Sequence, residues 1–177
     1  MILLLRRVVA TVGLLSLFSL FVLADDQENL DQPTAKQLQM KACGSKEDEL
    51  DYETRTDKSD HPTPPAPTDK ALVYVLRPSM FGNRVQSKLA VDGEWKGVNR
   101  GNNYFYFTLE PAEHLFCSVA ENHSVLKLKV EAGQTYYLQQ HVRMGIAKAR
   151  NELGVLSDEE GKAKLAHARL SVWEARR

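Results

Sequence analysis

No charge of one sign dominates this sequence: 23 Lys and Arg stand against 23 Asp and Glu, the basic residues interleaved with acids rather than clustered. Without a basic stripe to follow a phosphate backbone, nucleic acid is not an expected partner. The chain is also short. At 177 residues and 43% apolar content it builds one modest domain, and its length excludes a large multi-domain enzyme. Cysteine is scarce, with Cys43 and Cys117 the only two.

One long apolar run is present, and it comes first. After Arg6 and Arg7, Val8 to Leu23 carries no charge and ends at Ala24, before Asp25-Asp26. A basic start, an apolar middle and small residues at Val22 and Ala24 make residues 1–24 an export signal. The alternative is an uncleaved anchor, since Ile2 to Leu5 lengthen the run toward the ~30 Å of a bilayer core. Cleavage would delete two arginines and no acids, leaving 21 basic against 23 acidic residues. Export changes the reading of the cysteines: in an oxidising compartment Cys43 and Cys117 become a candidate disulfide, the alternative being two free thiols with Cys117 a small buried hydrophobe.

From Asp25 to Lys70 the chain is polar and charged, and it reads as a partly disordered leader. "PTAKQLQMKACG" suits a short helix with Pro33 near its start and Gly44 as its stop. "SKEDELDYETRTDKSD" follows neither the helical nor the strand period, and "HPTPPAPTDK" reads as an extended, proline-rich linker. The folded domain is expected over 71–177. There, turn signals recur about every ten residues, at Gly82-Asn83, Asp92-Gly93, Gly101 to Asn103, Pro111-Ala112, Glu121-Asn122 and Ala132-Gly133, as in an all-β sandwich or barrel.

Strand-like runs lie between these turns. "ALVYVLRP" is apolar on both parities and reads as central. "KLAVDGEWKGV" is a hairpin around Asp92-Gly93. "YFYFTL" puts Phe105, Phe107 and Leu109 on one face; "SVLKLKVE" turns Leu126, Leu128 and Val130 inward, with "QTYYLQQHV" expected as its hairpin partner. Beyond Val142 the pattern weakens. Ser157 and Glu160 form a capping box for a short helix, which Gly161 weakens by up to ~1 kcal/mol, and "ARLSVWE" closes the domain as a strand. The expected fold is all-β: a mainly antiparallel sandwich, immunoglobulin- or prealbumin-like, with one short helix near the C-terminus.

The reactive-looking side chains gather at "TLEPAEHLFC", residues Thr108 to Cys117. Pro111-Ala112 suits a type I turn, so Glu110 and Glu113 flank a convex tip that offers no cleft for acid–base chemistry. His114 and Cys117 resemble half a metal site, but three residues apart on a strand they face opposite ways. His141 belongs to another strand and would have to cross the sheet to join His114. No base can be assigned to Cys117 as a nucleophile. Asn122-His123-Ser124 matches a glycosylation acceptor. Trp95, Tyr104 and Tyr106 would stack on sugar rings if they shared an exposed face; the alternative is that they cover the sheet.

The run from "ALVYVLRP" through "KLAVDGEWKGVNRGNNYFYFTLEPAEHLFCS" to "LKVEAGQTYYLQQ" resembles the uncharacterised bacterial family known as domain of unknown function 2846. It is similar also to envelope modules that carry a "VDG" turn, an "L-x-P-G-x-H" turn and a "V-x-A-G-x-T" hairpin; here these are Val91 to Gly93, Leu109 to His114 and Val130 to Thr135, with Ala112 in place of the usual glycine. The likeness covers about Ala71 to Val142. It implies an exported, often envelope-associated β-sandwich with no assigned catalytic residues. The expected function is a non-enzymatic module of the periplasm or cell envelope, acting by protein or glycan contact, with no cofactor and no metal, and touching a membrane only through residues 1–24 if these are uncleaved. The alternative is a small metal-dependent or hydrolytic enzyme using His114, His141 and Glu113.

Overall fold

The computed structural model describes residues 33–44, 51–79, 85–144 and 149–176; the export signal expected at 1–24 and the turn expected at Gly82-Asn83 lie outside them. The alternating runs become strands: β2 (Ala71–Arg77), β3 (Ser87–Val91), β4 (Glu94–Asn99), β5 (Asn103–Leu109), β6 (Glu113–Val119), β7 (His123–Lys129), β8 (Thr135–Met144) and β10 (Arg169–Ala175). Two strands were not legible, β1 (Tyr52–Asp57) and β9 (Ala149–Leu156), and two helices flank the set, α1 (Ala35–Cys43) and α2 (Asp158–Leu165). Asp92 and Gly93 turn β3 into β4 with φ of 51° and 86°, the left-handed pair that a two-residue hairpin requires. The capping box of α2 forms as expected, with Ser157 accepting from Glu160 N, and Thr34 and Gln37 build a second one on α1.

The strands make two sheets, a six-stranded one in the order β1-β10-β5-β2-β8-β9 and a four-stranded one in the order β4-β3-β6-β7. Both contribute to one apolar layer: Val73, Val75, Phe105 and Leu138 from the larger sheet, Leu89, Val91 and Phe116 from the smaller. Close approach there depends on Gly97, where a Cβ would fall 2.4 Å from the Phe105 ring. On its outer face the larger sheet carries a second cluster of Leu72, Tyr74, Leu76, Tyr104 and Tyr137 against Leu165 of α2. The smaller sheet's outer face carries Ala90, Cys117 and Val119 against Ala42 and Cys43 of α1. The fold is mostly β.

Several expectations need correction. Within 25–70 the expected short helix forms as α1, but the "SKEDELDYETRTDKSD" stretch, read as following neither period, also supplies β1. The sequence of β1, YETRTD, has no apolar face because this strand only covers an edge, paired with β10 along its whole length. β9 lacks a clean apolar alternation because one of its inward positions is polar, Asn151. β8 is not the hairpin partner of β7: the turn at Gly133 bonds to Lys70 O, Leu72 N bonds to Gln134 O, and β8 runs parallel to β2 in the other sheet. The pairing of β10 with β5 is parallel too, while the remaining pairings are antiparallel. Alternation tells which face a side chain takes but says nothing about the neighbouring strand.

Candidate functional site

The Thr108–Cys117 stretch spans the end of β5, a turn and most of β6. Strand parity sends Phe116 into the core between the sheets and Cys117 to the outer face. On the outer face Cys117 is bonded to Cys43, with the Cα atoms 5.1 Å apart. The bond fixes the C-terminal end of α1 beside the Asp92-Gly93 turn, where Gly93 N donates to Ala42 O. Backbones touch here: a Cβ on Gly44 would lie 2.8 Å from Gly93 O.

His114 lies on the other parity and is wholly engaged. Its Nδ1 donates to Asp92 Oδ2 at 2.6 Å and its Nε2 to the Glu110 carbonyl at 2.9 Å, while Asp92 Oδ1 accepts from Leu115 N. The two residues that looked like parts of separate turn motifs, Asp92 and His114, thus clasp one turn to the other. Carboxylate and carbonyl oxygens only accept, so the doubly protonated imidazolium satisfies both contacts. Burial works against that charge, but the hydrogen bonds to Asp92 and Glu110 outweigh it and raise the His114 pKa. With both ring nitrogens occupied, His114 has no lone pair to offer a substrate or a metal.

A linkage prediction follows from the direction of this shift. Because the folded-state pKa lies above the unfolded value, the stability due to His114 is fully present below the unfolded pKa and is lost as pH rises through the folded one. Urea midpoints of the parent and a His114→Asn variant should therefore differ most in mild acid and converge in mild alkali. A gap that widens toward alkaline pH would contradict the clasp.

The other enzyme-like candidates are not brought together. Glu113 shares the outer parity of Cys117 and pairs with Lys127 at 2.9 Å, with both side chains exposed. His141 stands on β8 of the larger sheet, where Gln139 Nε2 donates to its Nδ1 at 3.1 Å. Among the described residues no three His, Cys, Asp or Glu side chains group as metal ligands would. The aromatic trio is divided as well, so the shared stacking face does not form. Trp95 packs beside the disulfide on the smaller sheet, with Lys88 Nζ 5.2 Å from its ring centre. Tyr104 and Tyr106 lie on the outer face of the larger sheet, and Tyr104 is fully buried. The amide of Asn122 accepts from Asn151 N and donates to Asn151 O.

Two features carry more structure than the sequence suggested. The first is a strap: Tyr104 and Tyr74 donate to the carbonyls of Pro62 and Pro64 at 3.0 Å each, and His61 donates to Leu165 O. The prolines, which have no N–H to offer the sheet, are held through their carbonyls by tyrosine hydroxyls. Tyr74 stacks on Tyr137 at 5.4 Å, and burial, assisted by Tyr137 and Tyr106, pushes the Tyr74 hydroxyl pKa up to about 12. An open pocket of about 640 Å³ remains between strap and α2, with Thr135, Tyr137 and Lys162 at its walls. Tyr74 and Tyr137 sit at alternating positions of two apolar strands, which was the available signal.

The second is a polar end to the core. Asn99 Nδ2 donates to Val75 O at 3.0 Å and to Gln140 Oε1 at 3.1 Å, and Ser118 Oγ accepts from Gln140 Nε2 at 2.9 Å and Asn151 Nδ2 at 2.8 Å. Five strands from both sheets are joined by this network, and Arg77 is also fully buried, its guanidinium donating to Val85 O. It is fixed scaffold with no cleft leading to it among the described pockets.

A curated relative, an uncharacterized protein of Haemophilus influenzae, is 28% identical over 101 residues, which is 56% of this chain and 60% of the relative's length. A solved NMR structure of a protein from Eubacterium rectale is 9% identical with a TM-score of 0.37, covering 51% of this chain and 92% of that one. The model of the family described as protein of unknown function (DUF2846) matches residues 67–155, from just after the strap into β9. With that match over half its length, the chain belongs to the DUF2846 family.

Proposed function

We propose that the protein is an exported, non-enzymatic module of the bacterial periplasm or cell envelope, an immunoglobulin- or prealbumin-like sandwich that acts by contact with a protein or glycan. The observation that carries the reading is the Cys43–Cys117 bond. Such bonds persist in oxidising compartments and are rare where thiols are kept reduced, which agrees with residues 1–24 as an export signal. The lack of an enzyme role is supported by how the candidate side chains are used. His114 is spent on a clasp, Cys117 on a disulfide and Glu113 on a surface ion pair. A contact surface on the larger sheet would take in the half-exposed Tyr106 and the rim of the strap pocket.

Full-length tagged protein expressed in a bacterium tests this by osmotic-shock fractionation and intact mass. Release with the periplasmic fraction, a mature start at Asp25 and no alkylation without reductant are the expected results. Retention in the cytoplasm with both thiols open to alkylation would refute the proposal. For the glycan branch, a Tyr106→Ala variant that keeps full affinity for cell-wall polysaccharide would remove that ligand class.

A further inference from the structure

Sheet edges invite pairing with another chain; here side chains close the edges of β4 and β9, and Lys127 and Lys129 blunt that of β7. Trp173 Nε1 and Ser171 Oγ on β10 donate to Lys96 O and Val98 O on β4, at 3.0 and 2.6 Å. On the opposite flank, Asn122 just before β7 and Ser124 on it bind the backbone of Asn151 and Leu153 on β9. Beyond β10 lies β1, and its outer edge is different. Arg176 N donates to Asp51 O, so the bonded pairs of this antiparallel ladder are 51 with 176, 53 with 174 and 55 with 172. The N–H and C=O groups of Tyr52, Thr54 and Thr56 therefore point away from β10. Among the described residues nothing pairs with them, and β1 has no proline, lysine or bulge to discourage pairing.

We infer that β1 pairs with β1 of a second copy, antiparallel about a two-fold axis at Thr54, to give a closed dimer with one continuous sheet. Only residues 52, 54 and 56 present bonding groups outward, so Thr54 must face Tyr52, Thr54 or Thr56 of the other copy. Strand overlap and charge together select among these registers. With Thr54 opposite Tyr52, Glu53 meets Glu53 and, although Arg55 then faces Asp51, Thr56 and Asp57 pass beyond the partner's β1; with Thr54 opposite Thr56, Arg55 meets Arg55 and Glu53 meets Asp57. Only Thr54 opposite Thr54 sets Glu53 against Arg55 of the other copy, and the symmetry does so twice. Like charges then meet only at the strand ends, Asp51 against Asp57, where Arg176 lies 3.8 Å from Asp51 and Ser59 N and Oγ bind Asp57. Glu53 and Arg55 now pair with Arg176 and Asp57, exposed contacts that can be exchanged at little cost.

Sedimentation equilibrium of the full chain, with the signal removed if it is cleaved in the cell, provides the test. At roughly 100 µM, a concentration suited to a small interface, the parent should approach twice the monomer mass. Arg55→Glu alone and Glu53→Arg alone should each be monomeric, because each places like charges opposite one another twice. An equimolar mixture of the two should regain the dimer mass, since both cross-strand pairs become opposite in sign. Thr54→Pro should be folded by circular dichroism and monomeric, because the N–H it removes serves only the outer edge. A monomeric parent, a dimeric Arg55→Glu variant or a mixture that stays monomeric would each overturn the inference.

Discussion

Replacing Cys43 and Cys117 together with alanine is expected to lower folding stability by about 4 kcal/mol, close to the loop-entropy value for a link of this length. The two cysteines are 74 residues apart in sequence, so the bond closes a large loop in the unfolded chain. In the folded chain it ties α1 to β6, and α1 has little else to hold it. The helix spans nine residues, too short to persist alone, and buries only Ala42 and Cys43. Alanine at both positions leaves no buried hydroxyl, which keeps the comparison to the bond and a small loss of packing. Thermal unfolding should fall by about 10 °C, and amide protection in α1 should be lost before that of β6. Unchanged midpoints, with α1 as well protected as in the parent, would show that the helix is held by its backbone contacts at Gly93 instead.

Gln140→Leu is expected to cost about 3 kcal/mol although it places an apolar residue of similar size at a fully buried position. Gln140 is fully buried and links three strands besides its own: its amide oxygen accepts from Asn99, and its nitrogen donates to Lys88 O and to Ser118 Oγ. Leucine would leave those partners buried with an apolar neighbour. Removing one member leaves its former partners buried without that hydrogen bond, a loss that contacts with leucine do not offset. Urea denaturation of the variant gives the value directly, with Gln134→Leu on the exposed turn as the surface control. A Gln140→Leu variant within about 0.5 kcal/mol of the parent would mean that the polar end of the core relaxes around the change.

Local chemistry was legible in the sequence. Asp92-Gly93 specified its hairpin through backbone conformation, Ser157 and Glu160 specified the start of α2, and strict alternation assigned Phe105, Phe107, Leu126 and Leu128 to the core side. Opposed parity also separated His114 from Cys117. Gly161 shows where such reading stops. By helix propensity alone alanine there should be better, yet a Cβ would lie 2.1 Å from the Tyr137 ring, so the glycine is a packing requirement of the second cluster.

The sequence by itself determined where the chain turns, which side chains share a face and which two cysteines were available to pair. The tertiary structure alone decided that β8 leaves β7 to lie parallel to β2, that YETRTD becomes an edge strand, that Asp92 holds His114, and that the tyrosines lie beneath prolines rather than in solvent. The division has a physical basis. Turn conformation, caps and alternation depend on residues a few positions apart, whereas the choice of neighbouring strand depends on volumes and hydrogen-bond partners that meet only when distant segments pack.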